Sequence, residues 1–132
     1  MTSEYADQDI VRFRVAYSVA EALEKLEQIF HAHDITIFAR IDFSGDAARA
    51  GLSMRPEQML IFGNPKAGTP LMQAEPLSGL DLPLKALLWE DEQGSTWVAC
   101  NSPDYIIRRH GLPEALTANL AGAVKLLQQF AE

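Results

Sequence analysis

The chain has 132 residues, with 11 basic and 18 acidic side chains, three histidines and one cysteine, for a formal charge of −7 and 48% hydrophobic residues. A chain of this mass buries roughly two thirds of the about 21,000 Å² that its unfolded form exposes, so one domain with one core is expected without a disulfide or metal to hold it. The lone Cys100 excludes an intramolecular disulfide and a multi-cysteine zinc site, the acidic balance opposes nucleic-acid binding, and no window approaches the roughly 18 apolar residues of a membrane span.

The opening MTSEYADQDI lacks a basic start followed by an apolar run, so a secretory signal is not expected. With a single thiol suited to a reducing compartment, the chain reads as a cytoplasmic domain that binds neither nucleic acid nor membrane. Ile10 to Ala16 alternates as a first strand, with Val11, Phe13 and Val15 on one side and Arg12 and Arg14 on the other. Ser18 and Glu21 form a capping box that opens a helix, whose apolar stripe runs through Val19, Ala22, Leu23, Leu26, Ile29 and Phe30 and which ends near His31 to Asp34. Ile35 to Phe43 alternates strictly, which predicts one face of Ile35, Ile37, Ala39, Ile41 and Phe43 and another of Thr36, Phe38, Arg40 and Asp42. Asp46 is the expected cap of a short helix that Gly51 terminates.

Met59 to Phe62 is apolar on both sides, as in a strand covered on both faces. After a Gly/Pro-rich connection and a loop around Leu77 to Pro83 come strands over Leu84 to Asp91 and Ser95 to Asn101. Glu92-Gln93-Gly94 joins them as a three-residue hairpin turn. Ser102, Pro103 and Asp104 start a further helix, which Arg108, Arg109, His110 and Gly111 end. Pro113 to Ala131 is expected to be a long amphipathic helix with Leu116, Leu120, Ala123, Val124, Leu127 and Phe130 along one stripe.

Two amphipathic helices cover only one face of a five-strand, mainly antiparallel sheet, which makes the expected fold a two-layer α+β sandwich. The three-residue hairpin pairs Leu88 with Val98 and Ala86 with Cys100 on the helix side. Trp89 then faces Trp97, and Lys85 faces Asn101, on the other. Lys85, Leu87, Trp89, Trp97, Ala99 and Asn101, joined by Phe38, Arg40 and Asp42, should form a mixed aromatic and charged surface. A patch this apolar is expected to be covered by a second subunit or a ligand, which makes a homodimer the expected assembly.

Among candidate chemistries, Gly63-Asn-Pro-Lys-Ala-Gly-Thr-Pro70 follows a strand and precedes a helix expected to open at Thr69 and Pro70. Such a loop aims backbone N–H groups and Lys66 at a small anion, with Asn64, Gly68 and Thr69 beside it. Thr69 stands where a Walker A loop requires lysine, which excludes that motif; the plainer reading is a turn and a capped helix. Arg40 and Asp42, with Trp89 and Asn101, offer a polar sheet-face cleft, or simply a solvated ion pair beside packed aromatics. A rival enzyme reading makes Asp42 a general base, with Lys66 or Arg40 stabilising charge. His31 and His33 are two apart on a helix end and His110 ends another, positions that the helix dipole favours without a metal. Cys100 reads as an inert core thiol, and Glu90-Asp91-Glu92 as a solvated hairpin end. Nothing in the pattern asks for a cofactor.

The phrases Phe38-Ala-Arg-Ile-Asp42, Leu60-Ile-Phe-Gly-Asn-Pro-Lys-Ala-Gly-Thr-Pro-Leu-Met72, Leu80-Asp-Leu-Pro-Leu-Lys85, Leu88-Trp-Glu-Asp91 and Arg109-His-Gly-Leu112 together resemble a bacterial and archaeal family, the domain of unknown function numbered three hundred and two. The likeness covers nearly the whole chain. It implies a β-α-β(4)-α sandwich of the TATA-binding-protein kind, a tendency to dimerise and no established activity. It also implies a histidine after the Ile-Asp pair, where this chain has Phe43, so histidine chemistry at that place is not expected. TATA recognition needs a basic concave sheet, and the acidic chain gives no reason to carry it over.

Overall fold

A computed structural model describes residues 9–132. The expectation about a leader segment rests on residues outside that range. Five strands form one antiparallel sheet: β1 (Ile10–Val15), β2 (Thr36–Asp42), β3 (Glu57–Gly63), β4 (Leu84–Glu90) and β5 (Thr96–Asn101), in the spatial order β1-β5-β4-β3-β2. Helix α1 (Val19–Ala32) carries the chain from one edge of the sheet to the other. Helices α2 (Phe43–Arg49) and α3 (Pro65–Ala74) follow β2 and β3, and α4 (Pro103–Arg109) and α5 (Thr117–Gln128) follow β5. The α+β sandwich is therefore the one expected, with α2 and α3 set into the run of four strands.

The local causes are legible residue by residue. The Ser18 hydroxyl accepts from the Glu21 N–H at 3.1 Å while the Glu21 carboxylate accepts from the Ser18 N–H at 3.1 Å, so the capping box opens α1 as expected. Its stripe buries Val19, Ala22, Leu23, Leu26 and Phe30. The hairpin register pairs Leu88 with Val98 and Trp89 with Trp97, and Gly94 takes a φ of +82° at the turn, which a side chain would resist.

The core lies between α1, α5 and one sheet face. Leu60, Phe62, Ala86, Leu88 and Val98 from the strands are sealed from solvent beneath Leu23, Leu26, Phe30 and Leu127. Phe30 and Phe62 stack with ring centroids 4.4 Å apart, joining α1 to β3. Each fully buried side chain of this size contributes about 1.5–3 kcal/mol in transfer terms, so the interlocked set supplies most of the stability.

Four boundaries differ from the sequence reading. The long C-terminal helix is shorter, since Glu114–Leu116 forms a 3-10 turn before α5 begins. Asp42, not Asp46, caps α2, and Phe43 is its first helical residue instead of the last strand residue. The expected loop before Thr69 is already helix: Asn64 caps α3 and Pro65 is its first residue. Lastly, β2 carries a bulge, because Ile37 pairs with Phe62 while Ala39 pairs with the adjacent Ile61, leaving Phe38 as the extra residue.

Candidate functional site

The bulge moves two of the candidate residues to the other layer. Past Phe38 the alternation of β2 inverts, so Arg40 pairs with the buried Leu60 and Asp42 with Gln58, both on the helix side. The Arg40 guanidinium reaches Glu27 of α1 at 3.4 Å. The expected grouping of Phe38, Arg40 and Asp42 with the tryptophans is thus corrected: one inserted residue flips every side chain after it.

The Asp42 carboxylate accepts from the Gly45 N–H and the Ser44 hydroxyl, each at 2.9 Å, and these bonds hold its pKa below the ordinary 3.8. A general base working near neutral pH needs the opposite shift and an enclosed setting, whereas Asp42 is solvent-exposed. A β-carbon at Gly45 would sit 2.6 Å from Asp42 Oδ2, so glycine there leaves room for the cap. The residue has a structural task that accounts for its contacts.

In the glycine-containing segment before Pro70, expected as an anion loop, the backbone donors find partners within α3. The Lys66 N–H donates to Asn64 Oδ1 at 2.9 Å, and the Ala67 and Gly68 N–H groups donate to the Asn64 carbonyl at 2.8 and 2.9 Å. Those donors close the first turn of α3 instead of pointing at a ligand. Asn64, Gly68 and Thr69 do line one concavity, a cleft of about 450 Å³ between α3 and α5, whereas Lys66 lies outside it. Phe38, which remains about half exposed, also lines this cleft.

The remaining candidates stand where the hairpin register puts them. Trp89 and Trp97 stack at 6.2 Å between centroids with an interplanar angle of 16°. The Arg14 guanidinium lies 5.9 Å from the Trp97 ring centre. Cross-strand pairing collects Arg12, Arg14, Trp97, Ala99 and Asn101 from β1 and β5 on this face. It adds Lys85, Leu87, Trp89, Glu57, Met59 and Ile61 from β4 and β3, and Ala39 and Ile41 from β2. Neither α1 nor α5 covers them: Leu87, Trp89, Trp97, Met59 and Ile61 stay half-buried while their neighbours on the helix side are sealed. The strand expected to be covered on both faces is sealed on the side of Leu60 and Phe62, whereas Met59 and Ile61 on the other side are only partly buried.

Asp91 is more than a solvated hairpin end. Its carboxylate accepts from the Gln93 and Ser95 N–H groups, each at 2.9 Å, and from the Trp97 indole N–H at 2.8 Å. The indole bond, then the Ser95 bond, hold its pKa below the ordinary value. His110 is likewise more than a dipole partner, because its side chain is buried with Nε2 2.6 Å from Asp81 Oδ2, and Arg109 grips the same carboxylate at 2.9 and 3.0 Å. Sequence reasoning missed this clamp because the partners lie 29 residues apart with no periodicity to join them. His33 Nδ1 pairs with the Ile29 carbonyl at 2.9 Å. Among the described residues no three His, Cys, Asp or Glu side chains converge as a metal site.

Comparison with known proteins places these features in context. The sequence profile described as "Domain of unknown function DUF302" matches residues 11–129. A protein named fluoride-specific ion channel FluC 1 from Brucella suis biovar 1 is 40% identical over 106 residues, which are 80% of this chain and 42% of that protein. Another of the same name from Brucella abortus biovar 1 is 40% identical over the same length, 39% of its own chain. The present chain therefore spans about two fifths of the length of these relatives. The crystal structure of an uncharacterized conserved protein DUF302 from Bacillus stearothermophilus is similar with a TM-score of 0.77 over 91% of this chain and 93% of that one, at 20% identity, which establishes likeness of fold.

Proposed function

This chain belongs to the DUF302 family, and from that premise we propose that it acts by association, not by catalysis, forming a homodimer through the sheet face that bears Trp89 and Trp97. The observation that carries the proposal is the contrast between the two faces of the same strands. Leu88 and Val98 are sealed from solvent on the helix side, and their neighbours Leu87 and Trp97, on the face that neither α1 nor α5 covers, are only partly buried. A monomer rarely leaves a contiguous patch of this kind in water.

The dimensions fit a second copy. Five strands about 4.8 Å apart and at least six residues long at about 3.3 Å each give a face of about 24 by 20 Å. Two such faces bury about 1,000 Å² together, the threshold for a specific interface. Arg14, already resting on Trp97, and Lys85 supply a charged rim around the aliphatic and aromatic centre, the usual anatomy of such surfaces.

The Brucella relatives support the same reading. An ion channel must cross a membrane, whereas no helix among the described residues here is long and apolar enough to do so. We take the segment they share with this chain as an appended domain, with the spanning segments in the remainder of those proteins. A domain that occurs joined to a larger protein is well suited to bringing chains together. The lone buried Cys100 supports a cytoplasmic setting.

Light scattering at micromolar concentration tests the proposal. The expected mass is twice the 14.6 kDa of one chain, and Leu87→Glu, which puts a charge at the centre of the face, should return it to a single chain with unchanged circular dichroism. A wild-type mass of one chain across the micromolar range refutes it.

A further inference from the structure

The cleft between α3 and α5 lies apart from the sheet face. It opens at one end of the sheet, where β3 passes into α3, and has a volume of about 450 Å³. An apolar cavity of about 150 Å³ holds benzene, so this one has room for a fused ring pair or an extended chain. Its walls are Ile35, Phe38, Met72, Leu82, Leu120 and Ala123. In a chain that is 22% charged, not one Asp, Glu, Lys or Arg among the described residues lines it.

Three features show that the space is built into the fold. Gly68 of α3 and Gly122 of α5 both border the cleft, and a β-carbon added at either would meet nothing within 4 Å, so the two facing helices keep the room open by lacking side chains there. The Asn119 amide donates to the Ala67 carbonyl at 3.0 Å, pinning α5 to α3 and fixing the separation of the walls. The β2 bulge adds Phe38, a large apolar side chain about half exposed, to the wall; bulges commonly re-aim a side chain beside a site. Among the described residues, hydrogen-bonding side chains come from Asn64, Thr69 and Asn119, all uncharged.

We infer that this cleft is a binding site for an uncharged small molecule with an apolar body and a single hydrogen-bonding end, such as a medium-chain alcohol or a neutral bicyclic aromatic. Size and lining match the general form of small-molecule sites, mostly apolar with a few polar groups that orient the ligand. With no cationic side chain among the described residues that line it, the cleft is set against anions, since a carboxylate or sulfonate carried inside would lose its hydration without a partner.

The test uses the neutral fluorophore N-phenyl-1-naphthylamine. It should bind saturably with a rise in emission, and straight-chain primary alcohols should displace it, each added methylene from hexanol to decanol tightening binding about three- to fourfold. Carboxylates of equal length should bind at least about tenfold more weakly. Gly122→Leu and Gly68→Leu fill the cleft with a better helix former in open space, so they should fold with an undiminished melting temperature yet abolish binding. Leu87→Glu on the sheet face should bind the dye as wild type does, which separates this site from the proposed dimer surface. No saturable binding to the wild type, equal affinity for carboxylates and alcohols, or binding retained in both glycine variants would each overturn the assignment.

Discussion

The Asp91 carboxylate ties the tip of the β4–β5 hairpin to the Trp97 indole, 2.8 Å away, so the residue that closes the turn also orients one half of the tryptophan pair on the bare sheet face. Local turn chemistry and the shape of the proposed interface therefore depend on one ionised group. Asp91→Ala should leave the Ser95 and Gln93 N–H groups and the indole without this acceptor. We expect a lower melting temperature, a red-shifted tryptophan emission and weaker dimerisation, read by fluorescence and light scattering on the same samples.

Acid should act through the same group. Asp91, Asp42 and Glu21 all have folded pKa values below their ordinary ones, held there chiefly by the Trp97 indole N–H, the Gly45 N–H and the Ser18 backbone N–H respectively. A depressed folded pKa contributes stability that is present above the unfolded value and is lost as pH falls through the folded one. Their contribution should thus be constant above about pH 5 and decline below the ordinary values of 3.8 for the aspartates and 4.5 for Glu21. Thermal melts from pH 7 to pH 2.5 should show a shallower acid decline for Asp91→Asn than for wild type; identical declines would remove Asp91 from the account.

Cys100 makes a cleaner case. Burial alone pushes its thiol up to about 12, and it sits on the helix side of β5, paired with Val11. The thiolate is the reactive form, so native protein at pH 8 should resist a thiol-reactive dye for hours and react fully within minutes in denaturant. Rapid labelling of the native protein would contradict the buried placement.

The core prediction turns on the Phe30–Phe62 stack. Truncating Phe62 removes a ring sealed on every side and separates α1 from β3, so Phe62→Ala should cost about 3–5 kcal/mol in urea unfolding. Phe62→Leu should lose less, because it refills part of the space.

What the sequence revealed, and what it concealed, follows from the range of the forces involved. The capping box at Ser18 and Glu21 and the three-residue hairpin at Glu92 to Gly94 are set by neighbours a few residues apart, and both stand as read. Opposed local signals misled the reading of α3. Gly68 and Pro70 are poor helix residues, yet Asn64 and Pro65 are a favourable cap and first position, and burial of Leu71 with the Asn119 bond to Ala67 settles the contest for helix. The cleft itself left no pattern, because glycines that make room look the same in sequence as glycines that make turns.

The bulge at Phe38 is the least legible feature and the one with the widest consequences. Ile35 to Phe43 alternates without a break, so period two alone predicts one flat strand, and only pairing with β3 shows that Phe38 has no partner. Were Phe38 paired in a regular strand, as period two alone predicts, Arg40 would leave Glu27 and turn to the open face, Ile41 would turn into the core layer, and Asp42 would no longer stand at the start of α2 with its carboxylate on Gly45. Phe38→Ala keeps the bulge and removes a half-exposed ring, and it should cost about 1 kcal/mol or less. Deleting Phe38 removes the bulge and joins Ile37 to Ala39, whose partners Phe62 and Ile61 are already consecutive, so Ala39 to Asp42 keep their faces and the deletion should also cost about 1 kcal/mol or less. Urea midpoints for the two variants decide the matter. A much larger loss on deletion than on truncation would mean that the inserted residue, and not the side chain alone, is what the fold requires at this position.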